Sequence, residues 1–451
     1  MSVSTTLLES CYDVIILGAG IAGLRVGIEV LKKYGSGNKK LRVCILEKYD
    51  YVGGRVVTFR KDIDGVGEVQ WENGAGRISK SHKKVLGLLR QYGLHFVDIS
   101  PDVDFLSTYD FSLRKNMFSE LSDVYLKPFD SLPLKVLEKE TLGNLLEKVL
   151  GKAKARSFYT EFPYYSEIHT LRADLALQSF KEEMGTNSGF GVCVEGLSSL
   201  MDAMNKEFQE LGGILIKNME VVSVENSKDG LTRIDCKVVE KECKTILKNK
   251  RIFLAKVCVA ALHSNATNSI KGLKEAPVLQ HLRMEPLLRV YAIFPLQNGI
   301  SGKEGRVWFD GMPKVVTDSP IRYIIPINPK KGIIMISYTD GADARKLMAE
   351  KDLQGWIMKE IRHLFPDSDI PDPLFFKKHP WTSGCTYWLP GSYNVYNESM
   401  NSLYPLPKKL PGVYMCGESF AVKQCWMESA LDQADLLLGS KEFIKAIKEC
   451  K

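Results

Sequence analysis

The first readable pattern is Val14–Leu17, four consecutive apolar residues of the kind buried parallel strands carry. It runs directly into Gly18-Ala-Gly20-Ile-Ala-Gly23. Leu24, Ile28 and Leu31 then recur at helical spacing to about Lys33. Gly35-Ser-Gly37-Asn38 breaks that helix, and Arg42–Leu46 forms a second buried run that ends on Glu47. Farther on, Leu142, Leu145, Leu146, Val149 and Leu150 predict a helix capped by Thr141. Residues 332–338 predict a strand, Asp340 to Asp343 a loop with an Asp turn, and residues 441–451 a solvated amphipathic terminal helix. No internal repeat, low-complexity tract or free-standing linker interrupts the chain.

Strand, glycine turn, helix, strand and terminal acid, in that order, predict a dinucleotide-binding unit. Gly18 allows the tight turn, Gly20 lets backbone approach a pyrophosphate, and Gly23 lets helix and strand pack closely. The helix start presents unpaired N–H groups and the positive end of its dipole to the phosphates. Glu47 follows Gly23 by 47 − 23 = 24 residues, where an acid accepts from ribose hydroxyls.

Composition narrows the field. A length of 451 residues suggests about three domains on size alone. The 61 basic and 54 acidic side chains leave a net +7 spread along the chain, so no nucleic-acid partner is expected. The 10 cysteines include no Cys-x-x-Cys pair, which removes the usual zinc arrangement, and no metal is expected. No charged-then-apolar leader and no long apolar run is present, so a cytoplasmic protein without a membrane span is expected.

Val52-Gly53-Gly54-Arg55 followed by Thr58 completes, with Glu47, the pattern E-K-x-x-x-x-G-G-R-x-x-T. Here the chain resembles the flavin-containing amine oxidase family, which includes monoamine, polyamine and L-amino-acid oxidases. A second resemblance stands near the C-terminus. Val413–Phe420 is similar to the family's closing strand and A-G-E turn, with Cys416 for Ala, and Cys425-Trp-Met-Glu-Ser-Ala430 to its G-W-M-E-G-A helix start. Between them, Val194–Leu200, Met219–Val224 and Lys256–Ala260 follow in family order. The resemblance implies an α/β fold: a Rossmann-like FAD-binding domain (residues 1–80, 190–275 and 405–451) interleaved with an α+β substrate domain (81–189 and 276–404). It implies FAD held by Gly18, Gly20, Gly23, Glu47, Gly54, Arg55, Val221, Glu418, Trp426 and Met427, and by the turn Gly74, Ala75, Gly76 and Arg77.

On the substrate side the resemblance implies an aromatic cage of Trp426 with Tyr387 or Trp388. Arg289 stands where the family carries a Lys that holds a water near the flavin, which sets oxidase against dehydrogenase. Arg77 matches the arginine that pairs with the carboxylate in L-amino-acid oxidases, and His82 reads as a surface residue at a helix start. Ser383-Gly384-Cys385 resembles the monoamine oxidase segment whose Cys is bonded to flavin, although FAD bound without that bond is the expectation. The function so implied is oxidation of a small amine by hydride transfer to FAD, with imine hydrolysis and O2 reduced to peroxide. One alternative is an L-amino-acid oxidase using Arg77, and another a flavin-binding protein with little turnover.

Overall fold

The computed structural model describes residues 7–35, 40–117, 121–183, 189–239, 250–297 and 305–450. Val14–Leu17 is the inner end of a strand, Leu7–Leu17, at the centre of a seven-stranded sheet. Across that sheet run residues 214–216, 43–46, 7–17, 250–260, 232–238 and 219–226, and Val413–Met415 also pairs with 250–260. The strands at 214–216, 43–46, 7–17, 250–260 and 413–415 are mutually parallel, while 232–238 and 219–226 return antiparallel. Alternate side chains explain the unbroken apolar runs. Val14, Ile16, Val43 and Ile45 pack under the helices Ile21–Tyr34, Leu197–Glu210 and Met427–Gly439, whereas Ile15, Leu17, Cys44 and Leu46 join the core on the opposite face. The predicted break at 35–38 lies, beyond Gly35, outside the described residues.

A second seven-stranded sheet runs 375–388, 282–293, 333–340, 323–328, 314–317, 103–106 and 113–114. Its long strand Leu282–Ile293, paired between the edge strand 375–388 and 333–340, is buried from Met284 onward, and the helices Gly341–Ala349 and Leu353–Leu364 contribute to one of its cores.

Thr141 caps the helix Leu142–Glu161 by accepting from the Asn144 amide at 3.2 Å, as its position predicts. Two sequence expectations are corrected. Asp340 and Asp343 do not share a loop: Asp340 ends the strand Ile333–Asp340, and Asp343 lies in the helix that follows at once. Gly341, at φ +55°, makes that abrupt turn. The terminal helix Lys441–Cys450 is not simply solvated, because Phe443, Ile447 and Cys450 are buried against the parallel-sheet body. Among the described residues no helix is long and apolar enough to cross a membrane.

Candidate functional site: a cavity between the two sheets

A cavity of about 1020 Å3 follows the C-terminal ends of the parallel strands and continues to the second sheet. Its first end is made largely of backbone. Gly18 sits at φ +100°, and a Cβ there would lie 2.8 Å from the Ala261 carbonyl oxygen. A Cβ on Gly23 would meet the Gly18 oxygen at 2.1 Å, so Gly23 acts behind the wall by letting the helix close on the turn. Gly20 differs: its nearest neighbour would be the Gly53 oxygen at 3.9 Å, leaving the cavity side open. The helix Ile21–Tyr34 starts there with no side-chain cap and no acid in its first turn. That is a cradle for a pyrophosphate.

Glu47 lines the cavity and is buried, which raises its carboxyl above the usual range. Its two oxygens accept from the Ala19 amide at 2.7 Å and the Tyr49 amide at 2.9 Å, fixing it at the strand end. Met219, Glu220 and Val221 line the neighbouring wall. Arg55 donates to the Gly384 carbonyl at 2.8 Å and to Glu418 at 2.6 Å, and Glu418 accepts the Cys425 amide at 2.7 Å. Two residues from opposite ends of the chain therefore form one bridge across the cavity. The Gly74–Arg77 turn is wedged beside it, because Ala75 donates to the Arg55 carbonyl at 3.0 Å and a Cβ on Gly76 would sit 3.0 Å from the Arg289 guanidinium.

The second end is made of side chains. Trp426 meets His82 edge-on at 4.7 Å and stacks on Phe190 at 6.0 Å, and the Arg77 guanidinium lies over the same Phe190 ring at 5.2 Å. Arg77 also reaches the Tyr164 hydroxyl at 3.4 Å, which in turn contacts that of Tyr323 at 3.2 Å. Arg289 lies over Tyr338 at 4.9 Å and donates to the Glu72 carbonyl at 3.2 Å, and its buried Nε has no partner among the described residues. Tyr387 lines the cavity, its hydroxyl donating to Glu167 at 3.3 Å. Asp340 accepts the Tyr165 and Ser166 amides at 3.0 and 2.9 Å, and burial pushes its carboxyl up to about 6.

Two expectations change here. Trp388 is not a cavity wall: it is fully buried and donates to the Ala421 carbonyl at 2.9 Å. Consecutive residues of a strand face opposite sides, so Tyr387 and Trp388 could not both line one cavity. His82 is not a surface residue, since it is 9% exposed, lines the cavity and is pushed down to about 4 by burial. Phe190, Tyr164, Tyr338 and Glu167 belong to no motif and were missed; only their place in the fold brings them together. Among the described residues no cluster of acids, histidines or cysteines forms a metal site.

The glycine cradle, the strand-end acid and the orphaned Arg289 donor fit an FAD spanning both ends. A model of the flavin containing amine oxidoreductases matches residues 30–163 and 157–436. An L-amino-acid oxidase of Gloydius blomhoffii is 24% identical over 93% of this chain and 86% of its own length. One of Siganus canaliculatus is 23% identical over 95% and 84%. A putrescine oxidase variant matches with a TM-score of 0.70 at 16% identity, covering 99% of this chain and 100% of the other. Cyclohexylamine oxidase of Brevibacterium oxydans matches with a TM-score of 0.65 at 16% identity, over 97% and 99%. With the family model spanning most of the chain, the protein belongs to the flavin containing amine oxidoreductases and is an FAD-dependent oxidoreductase of amines.

Proposed function

We propose that the protein oxidises the bond between Cα and nitrogen of an L-amino acid, and that Arg77 holds the substrate's carboxylate. The observation carrying this is a half-buried cation facing a cavity: among the described residues no carboxylate pairs with Arg77, whose polar contact is a tyrosine hydroxyl. A charge drawn partly out of water without a partner is costly, and an incoming carboxylate offsets that cost with a two-pronged contact that a simple amine lacks. This turns the expectation of a small amine toward an amino acid, in keeping with the names of the relatives that align along most of the chain.

Bound FAD supplies the acceptor for a hydride and passes the electrons to O2. The chain's own groups do the rest. Gly18, Gly20, Glu47, Gly54, Arg55, Val221, Glu418 and Met427 bind and orient the cofactor, with Gly23 closing the turn behind it. These come from residues 1–80, 190–275 and 405–451, which we assign as the cofactor domain, with 81–189 and 276–404 as the substrate domain. Trp426 and Tyr387 enclose the amine and exclude water, favouring its neutral form. Arg289 cannot give up its proton, so it donates a fixed hydrogen bond and holds a water or oxygen species in place. In this proposal FAD is held without a covalent bond, although Cys385 lines the cavity. A cytoplasmic location goes with the described cysteines being free thiols.

The test is Arg77→Ala in FAD-loaded protein. Removing the charged partner should cost about 3 kcal/mol, on the order of a hundredfold in kcat/KM for amino acids. Turnover of amines that lack the carboxylate should change little. Equal losses for both substrate classes would overturn the assignment.

A further inference from the structure

Cys425 occupies a backbone position that suits glycine. Its φ is +71°, in the left-handed region that a side chain with a Cβ adopts at a cost, and the resembled helix-start motif carries Gly there. The thiol placed at that cost is not idle. Cys425 and Cys385 are neighbours, both line the cavity, and both are half-buried free thiols. The Cys425 sulfur is also 3.5 Å from the carbonyl of Thr386, the residue after Cys385. The Arg55 guanidinium is fastened to the carbonyl of Gly384, the residue before it, at 2.8 Å.

We propose that Cys385 and Cys425 are a paired oxidation site on the wall of the flavin cavity, closed to a disulfide by hydrogen peroxide. Arg55, bonded to the Gly384 carbonyl, holds the segment that carries Cys385 in place on the cavity wall. Cys425 is the resolving partner. Its thiol donates to the Thr386 carbonyl at 3.5 Å, and the neighbouring Cys385 together with burial raises it well above the ordinary range, so it keeps its proton until the second step.

The chemistry balances with peroxide as the only oxidant. The Cys385 sulfur attacks one peroxide oxygen, an S–O bond forms as the O–O bond breaks, and the departing hydroxide takes up the Cys385 thiol proton as water. The Cys425 sulfur then attacks the Cys385 sulfur, an S–S bond forms, and the S–O bond breaks with loss of a second water. Two thiols are oxidised and one peroxide is reduced to two waters. The disulfide would tie the strand carrying Tyr387 to the loop carrying Trp426, so peroxide made in the cavity would act back on the site that made it.

A peroxide supply during turnover rests on the oxidase reading above; the test adds peroxide directly and so does not. FAD-loaded protein is treated with hydrogen peroxide, alkylated without reductant, digested and weighed by mass spectrometry. The expected product is a Cys385–Cys425 cross-linked peptide that dithiothreitol reverses. In Cys425→Gly, which suits the backbone, the cross-link is absent and Cys385 is trapped by dimedone as the sulfenic acid. Both thiols alkylated as before, Cys385 bonded to another cysteine, or Cys385 recovered on the flavin would each overturn the proposal. A cross-link without amino-acid turnover would leave the pair standing and remove the oxidase, and the converse would remove only the pair.

Discussion

The two ends of the cavity are built from different materials. Around Gly18–Glu47 the wall is backbone: amides, a helix start and glycines whose missing side chains make the room. Around Arg77 it is side chains drawn from separate elements, with Phe190, Tyr164, Tyr338 and Trp426 meeting across long stretches of chain. Backbone geometry tolerates few residue types at a given place, so the cofactor end is rigid in sequence. A side-chain wall accepts many solutions, so the substrate end is where specificity varies at little cost to the fold.

The contrast can be broken most severely at the glycines. Gly23→Ala would drive a methyl into the Gly18 carbonyl, and soluble folded protein should be lost. Gly20→Ala has no such clash, so it should fold with an apoprotein melting temperature near that of the unchanged chain. Its flavin affinity should nevertheless fall at least tenfold, measured by fluorescence titration, because the added methyl occupies the phosphate's space. Next in size is the hundredfold selective loss expected for Arg77→Ala. Smaller again is Trp388→Phe. It removes the bond to Ala421 and should lower stability by about 1–2 kcal/mol in urea unfolding, with kcat/KM of the loaded enzyme unchanged, since Trp388 faces the core.

The smallest and broadest effect is on pH. Burial holds His82, His263 and His379 down to about 4, against 6.5 for each when unhindered. A depressed folded value means stability that is full above about 6.5 and is lost as pH falls toward 4. Asp340, raised to about 6, has the opposite sign: its contribution is present at low pH and is lost as pH rises through 6. Glu47 and Glu72, raised by burial, share the sign of Asp340, but His169 and the hydrogen-bonded Glu195 and Glu207 are depressed and add to the histidines, so the melting temperature should fall between pH 6.5 and 4. A flat or rising profile would show that these rings are solvated.

Legibility in the sequence follows the same division. The βαβ unit, the double-glycine turn and the closing Glu418 segment were readable because each spacing is dictated by a backbone task. Their joining was not: the Arg55–Glu418 bridge links residues far apart in the chain, and only the strand at 413–415 beside 250–260 brings them together. At the substrate end the sequence neighbourhood points to Tyr387 and equally to Trp388, because local spacing does not show which strand face meets the cavity. His82 reads as a surface residue for a related reason. A histidine at a helix start looks solvated until Trp426, from the other end of the chain, covers it.

The measurement that bears most directly on the account is anaerobic mixing of the FAD-loaded protein with an L-amino acid and, separately, with the amine that lacks only its carboxylate. Flavin absorbance is followed in each case. Arg77 as the carboxylate site predicts rapid bleaching by the amino acid and bleaching on the order of a hundredfold slower by the amine. Faster bleaching by the bare amine, or none by any amino acid, would contradict it.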